Sequence, residues 1–241
     1  MDAGSRPTPW CAALARAVDE PLVGTAPVAP RWVCVEHRGT WPHDLGAHRD
    51  EAVRTFLDRA VAAGWRPLLV RRPGRRPSEG PTRVFLADTT PPGPQVTVQR
   101  IVDPAELATI ALPAAGAPLP GEVVPEAMLL ICTHGRRDRC CAVDGRALAR
   151  AVVETGEPDV WESTHLGGHR FAPTALVLPT GYVYGRLDLA VAGDDVVAAA
   201  DGRRWAVTVR ATACPGNRPV SCGAAALPVT ALHAAGVRRL A

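Results

Sequence analysis

The sequence predicts an α/β fold built from two similar halves. Two observations support this prediction. Apolar, strand-like runs alternate with amphipathic, helix-like segments, and a Pro- and Gly-rich stretch over residues 112–121 separates the two halves. With 241 residues, of which 47% are hydrophobic, the chain can bury one large core or two modest ones. We therefore expect an N-terminal α/β half over residues 1–120 and a second α/β domain over residues 121–241.

The first half is predicted to contain four strands and two helices. A helix is expected over residues 48–63, and a second over 103–111, where Asp103 is the N-cap and Pro104 takes the first helical position. The Pro- and Gly-rich stretches between the strands are predicted loops. The predicted strands are residues 31–36, 67–71, 83–87 and 95–102.

The second half repeats this order of elements. An apolar run over residues 128–132 predicts a buried strand, and the amphipathic stretch 141–154 predicts a helix. A further strand is expected over residues 160–165. The last two predicted strands, 175–179 and 182–187, form a hairpin about Thr180-Gly181.

Two cysteines and two histidines of the second half form a candidate metal site. Cys132 ends a predicted strand, and Cys141 begins a predicted helix, where the helix dipole and free N–H groups favour a thiolate. Gly167-Gly168 allows a tight turn, so that His165 and His169 can point to one centre. Thiolate and imidazole ligands suit iron-sulfur clusters and zinc alike, so the ligand types alone do not select the metal.

The segments around these ligands resemble the sucrase/ferredoxin-like family, which belongs to the thioredoxin-like ferredoxins. The similar segments are Cys132-Thr-His-Gly-Arg-Arg-Asp138 and His165-Leu-Gly-Gly-His169-Arg-Phe171. Near the N-terminus, Cys11 and the stretches 21–26, 32–36 and 39–41 also look like the opening of that family. The resemblance covers roughly residues 10–190.

This resemblance implies a fold, a cofactor and a function. Residues 121–241 would form a thioredoxin-like ferredoxin domain, whose order of elements agrees with the predicted one. The implied cofactor is a 2Fe-2S cluster, with Cys132 and Cys141 on one iron and His165 and His169 on the other. The implied function is electron transfer, with an unidentified redox protein as the partner. The order of cysteines before histidines differs from a Rieske centre, which interleaves them.

Several alternatives remain beside this interpretation. Cys140 precedes Cys141 directly, and the family spacing of eight intervening residues favours Cys141 as the ligand. The main functional alternative is a zinc-binding structural or interaction protein that uses the same four ligands. A thiol-disulfide enzyme based on Cys140 and Cys141 is disfavoured, because such enzymes usually separate the two cysteines by two residues.

We expect His134 either to donate a hydrogen bond to sulfur or to be exposed. The remaining cysteines are predicted not to be ligands: Cys11, Cys34, Cys214 and Cys222.

Composition predicts a soluble cytoplasmic protein. No apolar run is long enough to cross a bilayer, and the N-terminus lacks the basic and then apolar order of a signal peptide. Seven cysteines, an odd number, argue against a disulfide framework. The net charge of +3 and the arginine clusters without interleaved aromatic residues do not indicate nucleic acid binding. No pair of acidic residues indicates glycoside hydrolysis, so an electron carrier is favoured over a catalyst.

The segment after Asp201 departs from the pattern of the family. It is rich in Pro, Gly and Arg and has little periodicity. We hypothesise that about the last forty residues are either a divergent cap or the product of a shifted reading frame. The nucleotide sequence of the gene tests the second explanation, which fails if neither alternative frame encodes an ending similar to the family.

Overall fold

We describe a computed structural model of the chain for residues 10–22, 25–74, 80–90, 93–154, 159–189, 199–200, 203–204 and 209–215. The α-helices are α1 (Cys11–Ala17), α2 (Glu51–Ala62) and α3 (Arg146–Glu154). Nine strands lie before residue 190: β1 (Arg31–Glu36), β2 (Arg66–Arg71), β3 (Thr82–Asp88), β4 (Gln95–Ile101), β5 (Glu122–Val123), β6 (Met128–Cys132), β7 (Val160–Ser163), β8 (Ala175–Leu178) and β9 (Tyr182–Leu189). Three more follow: β10 (Ala199–Ala200), β11 (Arg203–Arg204) and β12 (Val209–Pro215).

Ten of these strands form one mixed sheet in the order β12-β9-β8-β6-β7-β2-β1-β3-β4-β5. The pairs β1–β2 and β6–β7 are parallel, and the other neighbouring pairs are antiparallel. Strands of both halves of the chain meet where β2 pairs with β7, at Val70 and Ser163. The sheet and its helices confirm the predicted α/β fold class and are consistent with a thioredoxin-like fold. The division into units at residue 120 stays a prediction.

The two faces of the sheet carry different parts of the core. Side chains alternate across each strand, so Leu129 and Ile131 of β6 pack with α3, while Met128, Leu130 and Cys132 face the opposite side. In β1, Val33 and Val35 likewise pack in the core that includes α2 residues, and Trp32 and Cys34 lie with Cys132. Cys132 therefore belongs to the face away from α3.

Most predicted elements are confirmed within one to three residues, but two predicted helices differ in type. Residues 103–111 were expected as a helix and contain a 3-10 helix, Pro104–Thr109, with Asp103 and Glu106 in a capping box. The helix expected from Cys141 begins instead with a π-helical turn, Cys141–Gly145, and continues as α3. The strand expected over residues 160–165 ends at Ser163.

The hypothesis about the tail falls almost entirely outside the described residues. Of the chain after Asp201, the structure describes only β11 and β12, and β12 pairs antiparallel with β9. Among the described residues, no helix has both the length and the apolar character that crossing a membrane requires.

Candidate metal centre

Cys132 and His165 come together because β6 and β7 are parallel neighbours. The register places Cys132 opposite Ser163, so both strands end at the same edge of the sheet. His165 follows Ser163 by two residues. The Cys132 backbone N–H donates to the Thr174 carbonyl oxygen at 2.9 Å, and the Thr133 N–H donates to the Ser163 carbonyl oxygen at 3.1 Å. These bonds fix the strand end that carries the first cysteine.

Gly145 lets the chain return from the loop so that Cys141 lies beside Cys132. A Cβ atom at residue 145 would collide with the carbonyl oxygen of Cys132, which is backbone and cannot move aside cheaply. The π-helical turn therefore packs its backbone directly on the end of β6. Single π turns inside helices are frequent at functional sites. Sequence periodicity did not reveal the role of Gly145.

Three ligand atoms meet in this place. One atom each from Cys132, Cys141 and His165 lie within 4.8 Å of one another, and Cys132 and Cys141 are fully buried. These residues can hold a metal ion. Such a group combines the thiolate and imidazole ligands that zinc and iron-sulfur centres use.

The environment of Cys132 favours its thiolate. The S–H of Cys141 donates to Cys132 and lowers the pKa of Cys132 well below the usual thiol range, against the effect of burial. The His165 ring and the backbone N–H groups of His134 and Leu166 add hydrogen bonds that act in the same direction. The shared proton and burial raise the pKa of Cys141. Of the two sulfur atoms, that of Cys132 is therefore the more readily deprotonated.

The ring of His134 supports the backbone of His165 and does not bond to a sulfur atom of the described residues. The Nε2–H of His134 donates to the Pro42 carbonyl oxygen at 2.8 Å, which leaves Nδ1 to accept the backbone N–H of His165 at 3.2 Å. Burial lowers the pKa of His134, in agreement with a neutral ring. His134 was expected either to donate a hydrogen bond to sulfur or to be exposed. Its backbone N–H bonds to the Cys132 sulfur, which agrees with the first form, and the second form is wrong because its side chain is buried.

His169 lies next to His165 but faces a different set of side chains. Gly168 adopts φ +64°, a left-handed conformation that favours glycine, and precedes the 3-10 turn His169–Phe171. The ring centroids of His165 and His169 are 5.9 Å apart. The Nδ1 atom of His169 is 2.8 Å from Asp138 Oδ2 and 3.2 Å from Cys11 Sγ. The structure thus brings three of the four predicted ligands together and places the fourth beside them.

A second group of ligand atoms adjoins the first. One atom each from Cys11, Asp138 and Cys140 lie within 4.8 Å of one another, and these residues too can hold a metal ion. The Sγ atoms of Cys11 and Cys140 are 3.2 Å apart. The sequence analysis predicts that Cys11 is not a ligand, keeps Cys140 only as an alternative to Cys141, and does not include Asp138. Nothing in the local pattern points to Cys11, because 129 residues separate it from Cys140.

A buried polar network supports the start of the ligand loop. Thr133 Oγ1 donates to Glu162 Oε2 at 3.1 Å and accepts the Trp41 Nε1–H at 3.2 Å. Arg71 Nε donates to the same Glu162 oxygen at 2.6 Å, and its guanidinium lies 3.9 Å from the Trp41 ring centroid. Because the charges of Arg71 and Glu162 are paired, both can be buried beside the site. No local pattern of residues predicts this network.

Comparison with known proteins identifies the family to which the chain belongs. A family described as sucrase/ferredoxin-like matches residues 22–198. The match spans well over half of the chain, and the protein belongs to this family. No curated protein and no solved structure matches the chain.

The residues of the first group fit an iron-sulfur cluster. The Nδ1 atom of His165 is buried and has no hydrogen-bond partner among the described residues. An imidazole nitrogen left in this state is costly unless a ligand satisfies it. The sulfur atoms of Cys132 and Cys141 are the soft donors that such clusters require.

Proposed function

We propose that the protein is an electron carrier that holds a 2Fe-2S cluster through Cys132, Cys141, His165 and His169. The observation that carries this proposal is the convergence of Cys132, Cys141 and His165 at one sheet edge, with the ring of His169 beside His165. Such a cluster, when bound, takes up and releases an electron. Membership of the sucrase/ferredoxin-like family supports the same function.

The protein side chains determine how the cluster is held and tuned. Cys132 and Cys141 would bind one iron as thiolates, and His165 and His169 would bind the other as neutral imidazoles. This set carries less negative charge than four thiolates, which favours reduction. The burial of both cysteines limits the access of water, and Asp138 holds the Nδ1 side of His169, which leaves Nε2 for iron.

A cleft lined with arginines offers a docking surface for the redox partner. Its volume is about 710 Å³, and Gly135 and Ala142 of the ligand loop form part of its wall. Glu162 is the one acidic residue among the described residues that line it, and it is paired with Arg71. The lining arginines are Arg71, Arg136, Arg146 and Arg150. We propose that an acidic face of a redox protein docks here, because complementary charge steers association.

We further propose that this function belongs to the cytoplasm. The free thiols include Cys11, Cys34, Cys132, Cys140 and Cys141, and reducing conditions keep thiols available as metal ligands. We propose neither nucleic acid nor a membrane as a partner.

Anaerobic purification followed by metal analysis tests the proposed cofactor. We expect equal amounts of iron and acid-labile sulfide, visible absorbance, and an electron paramagnetic resonance signal after reduction. His165→Ala and His169→Ala should each alter that signal. His43→Ala, at an exposed histidine whose described ion-pair partner is Asp44, is the matched control and should leave it unchanged.

A different metal content would favour the zinc-binding alternative. Stoichiometric zinc in a colourless protein, bound without sulfide, would identify a zinc-binding structural or interaction protein. The three ligand atoms within 4.8 Å also suit a single tetrahedral ion. Iron and sulfide in equal amounts would exclude that assignment.

A further inference from the structure

Cys11 and Cys140 form a thiol pair that the proposed cluster does not use. Their Sγ atoms are 3.2 Å apart, although one lies at the start of α1 and the other directly before the π-helical turn. We propose that this pair is a second redox centre, a dithiol that low-molecular-weight disulfides oxidise reversibly to a Cys11–Cys140 disulfide. The proposal does not depend on the cluster.

The distance between the sulfur atoms is favourable for a bond. A disulfide has an S–S length of about 2.04 Å, so closure needs an approach of only about 1.2 Å. Cys141, the direct neighbour of Cys140, is instead engaged with Cys132. These four cysteines therefore form two pairs, Cys132 with Cys141 and Cys11 with Cys140.

The two thiols differ in access to solvent. Cys11 is half-buried, whereas Cys140 is 1% exposed. A small disulfide can therefore reach the sulfur of Cys11 first, and Cys140 lies behind it as the resolving thiol. This arrangement of an accessible cysteine next to a second one is typical of redox-sensitive pairs.

The reaction balances as two successive exchanges. The Cys11 sulfur attacks one sulfur of the small disulfide, forms a mixed disulfide and releases one thiol. The Cys140 sulfur then attacks Cys11 and releases the second thiol. The two protons of the protein thiols end on the two released thiols. The protein pair is oxidised by two electrons, and the small disulfide is reduced.

The bond would fasten the N-terminal helix over the ligand loop. Around Cys11, the guanidinium of Arg139 lies 4.8 Å from the centroid of the Trp10 ring, and Arg16 Nη2 is 3.8 Å from Asp144 Oδ2 in the π-helical turn that follows the loop. These contacts hold the two segments together in the reduced protein, so closure does not require them to move far. A bond between residues 129 apart also restricts the unfolded chain strongly.

Peptide mapping of the full-length protein tests the proposal. Anaerobically purified protein is treated with glutathione disulfide, alkylated, and digested with trypsin without reduction. We expect the fragment that ends at Arg16 to be linked to the fragment of residues 140–146, with a loss of two free thiols per chain. Dithiothreitol should restore both thiols. The thermal midpoint of the oxidised protein should exceed that of the reduced protein.

Three variants assign the link. Cys11→Ser and Cys140→Ser should each abolish it, and Cys34→Ala, which removes an unrelated buried thiol of β1, should retain it. A link that persists in Cys140→Ser would have to use Cys141 and would overturn the proposal. So would a wild-type protein whose thiol number stays constant, or zinc bound at Cys11 and Cys140 that blocks both thiols until a chelator is added.

The visible absorbance of the same samples separates this proposal from the proposed function. A linked pair in a protein without iron would support the dithiol and refute the cluster. An intact cluster in a protein that forms no link would support the cluster and refute the dithiol.

Discussion

His169 Nδ1 and Asp138 Oδ2 are 2.8 Å apart, which makes the carboxylate of Asp138 the closest described polar partner of that imidazole. Asp138 also accepts the backbone N–H of Cys140 at 2.8 Å through Oδ1. One side chain therefore connects the loop after Cys132 with the turn that carries His169. Carboxylates in this position orient metal-binding histidines and increase their basicity.

Asp138→Asn should weaken the hold on the metal and raise the cluster potential. The amide keeps the size of the side chain but removes the negative charge beside His169, so reduction becomes easier. Loss of such a partner typically costs about 10–100-fold in metal affinity. Chelator competition and voltammetry measure the two effects. Asp58→Asn, an exposed position on α2, matches the change in charge and should behave like wild type. Identical retention and potential in both variants would contradict the role of Asp138.

Cys141→Ser should abolish or sharply alter the cluster spectrum, while Cys140→Ser should leave it nearly intact. The reason is that Cys141 donates to Cys132, whereas Cys140 contacts Cys11. A hydroxyl is a poor substitute for a thiolate on iron. Visible absorbance and iron content of the two variants provide the comparison. The opposite pattern would make Cys140 the ligand.

The strands could be predicted because their apolar runs are long and bounded by turn residues. Residues 31–36 were predicted as a strand, and β1 has those bounds. The carboxyl end of β6 was also correctly placed at Cys132, because a polar loop follows an unbroken apolar run. Both features are local in sequence.

The features that were missed depend on contacts between distant segments. The π-helical turn adds one residue to a helix that still looks amphipathic, so periodicity cannot detect it. The approach of Gly145 to Cys132, and of Cys11 to Asp138 across 127 residues, follows from tertiary packing. The role of the four predicted ligands in binding a cluster stays a prediction.

Gly145→Ala should lower metal retention without removing any ligand. The added methyl group meets the Cys132 carbonyl oxygen, so the π-helical turn must shift and carry Cys141 away from Cys132. Iron per chain should fall, and the thermal midpoint should fall with it. Gly93→Ala is the control, because a Cβ at Gly93 has no atom within 4 Å. Equal iron content in both variants would show that the site tolerates a displaced turn.

Arg146→Glu should slow electron exchange with anionic reagents. Arg146 lines the arginine cleft beside Ala142, and glutamate has a helix propensity similar to that of arginine, so folding should be retained. Stopped-flow oxidation of the reduced protein by ferricyanide should become several-fold slower and lose part of its salt dependence. Oxidation by hexaammineruthenium(III), a cation, should become faster.

Arg49→Glu is the matched control for the cleft, since Arg49 is an exposed arginine that does not line it. Its rates with both reagents should remain close to wild type. If Arg49→Glu and Arg146→Glu change the rates equally, only net charge matters and the cleft has no special role.

The cluster potential should lie above that of an all-cysteine ferredoxin and should decrease at alkaline pH. Two neutral imidazoles replace two negative thiolates, a change that in Rieske centres accompanies a rise from about −400 mV to roughly −150 to +300 mV. Ferric iron acidifies the remaining ring N–H of a bound histidine, and reduction weakens this effect. Above the pKa of the oxidised state, each electron therefore brings a proton.

Replacing both histidines, with His165→Cys and His169→Cys, should lower the potential by some hundreds of millivolts, on the order of the Rieske difference, and flatten its alkaline dependence. The N–H that His169 directs at Asp138 is then absent, so the electron no longer brings that proton. Voltammetry of wild type and the double variant from neutral to strongly alkaline pH measures both effects. Equal potentials, or a wild-type potential that is constant over the whole range, would show that these histidines do not bind the iron.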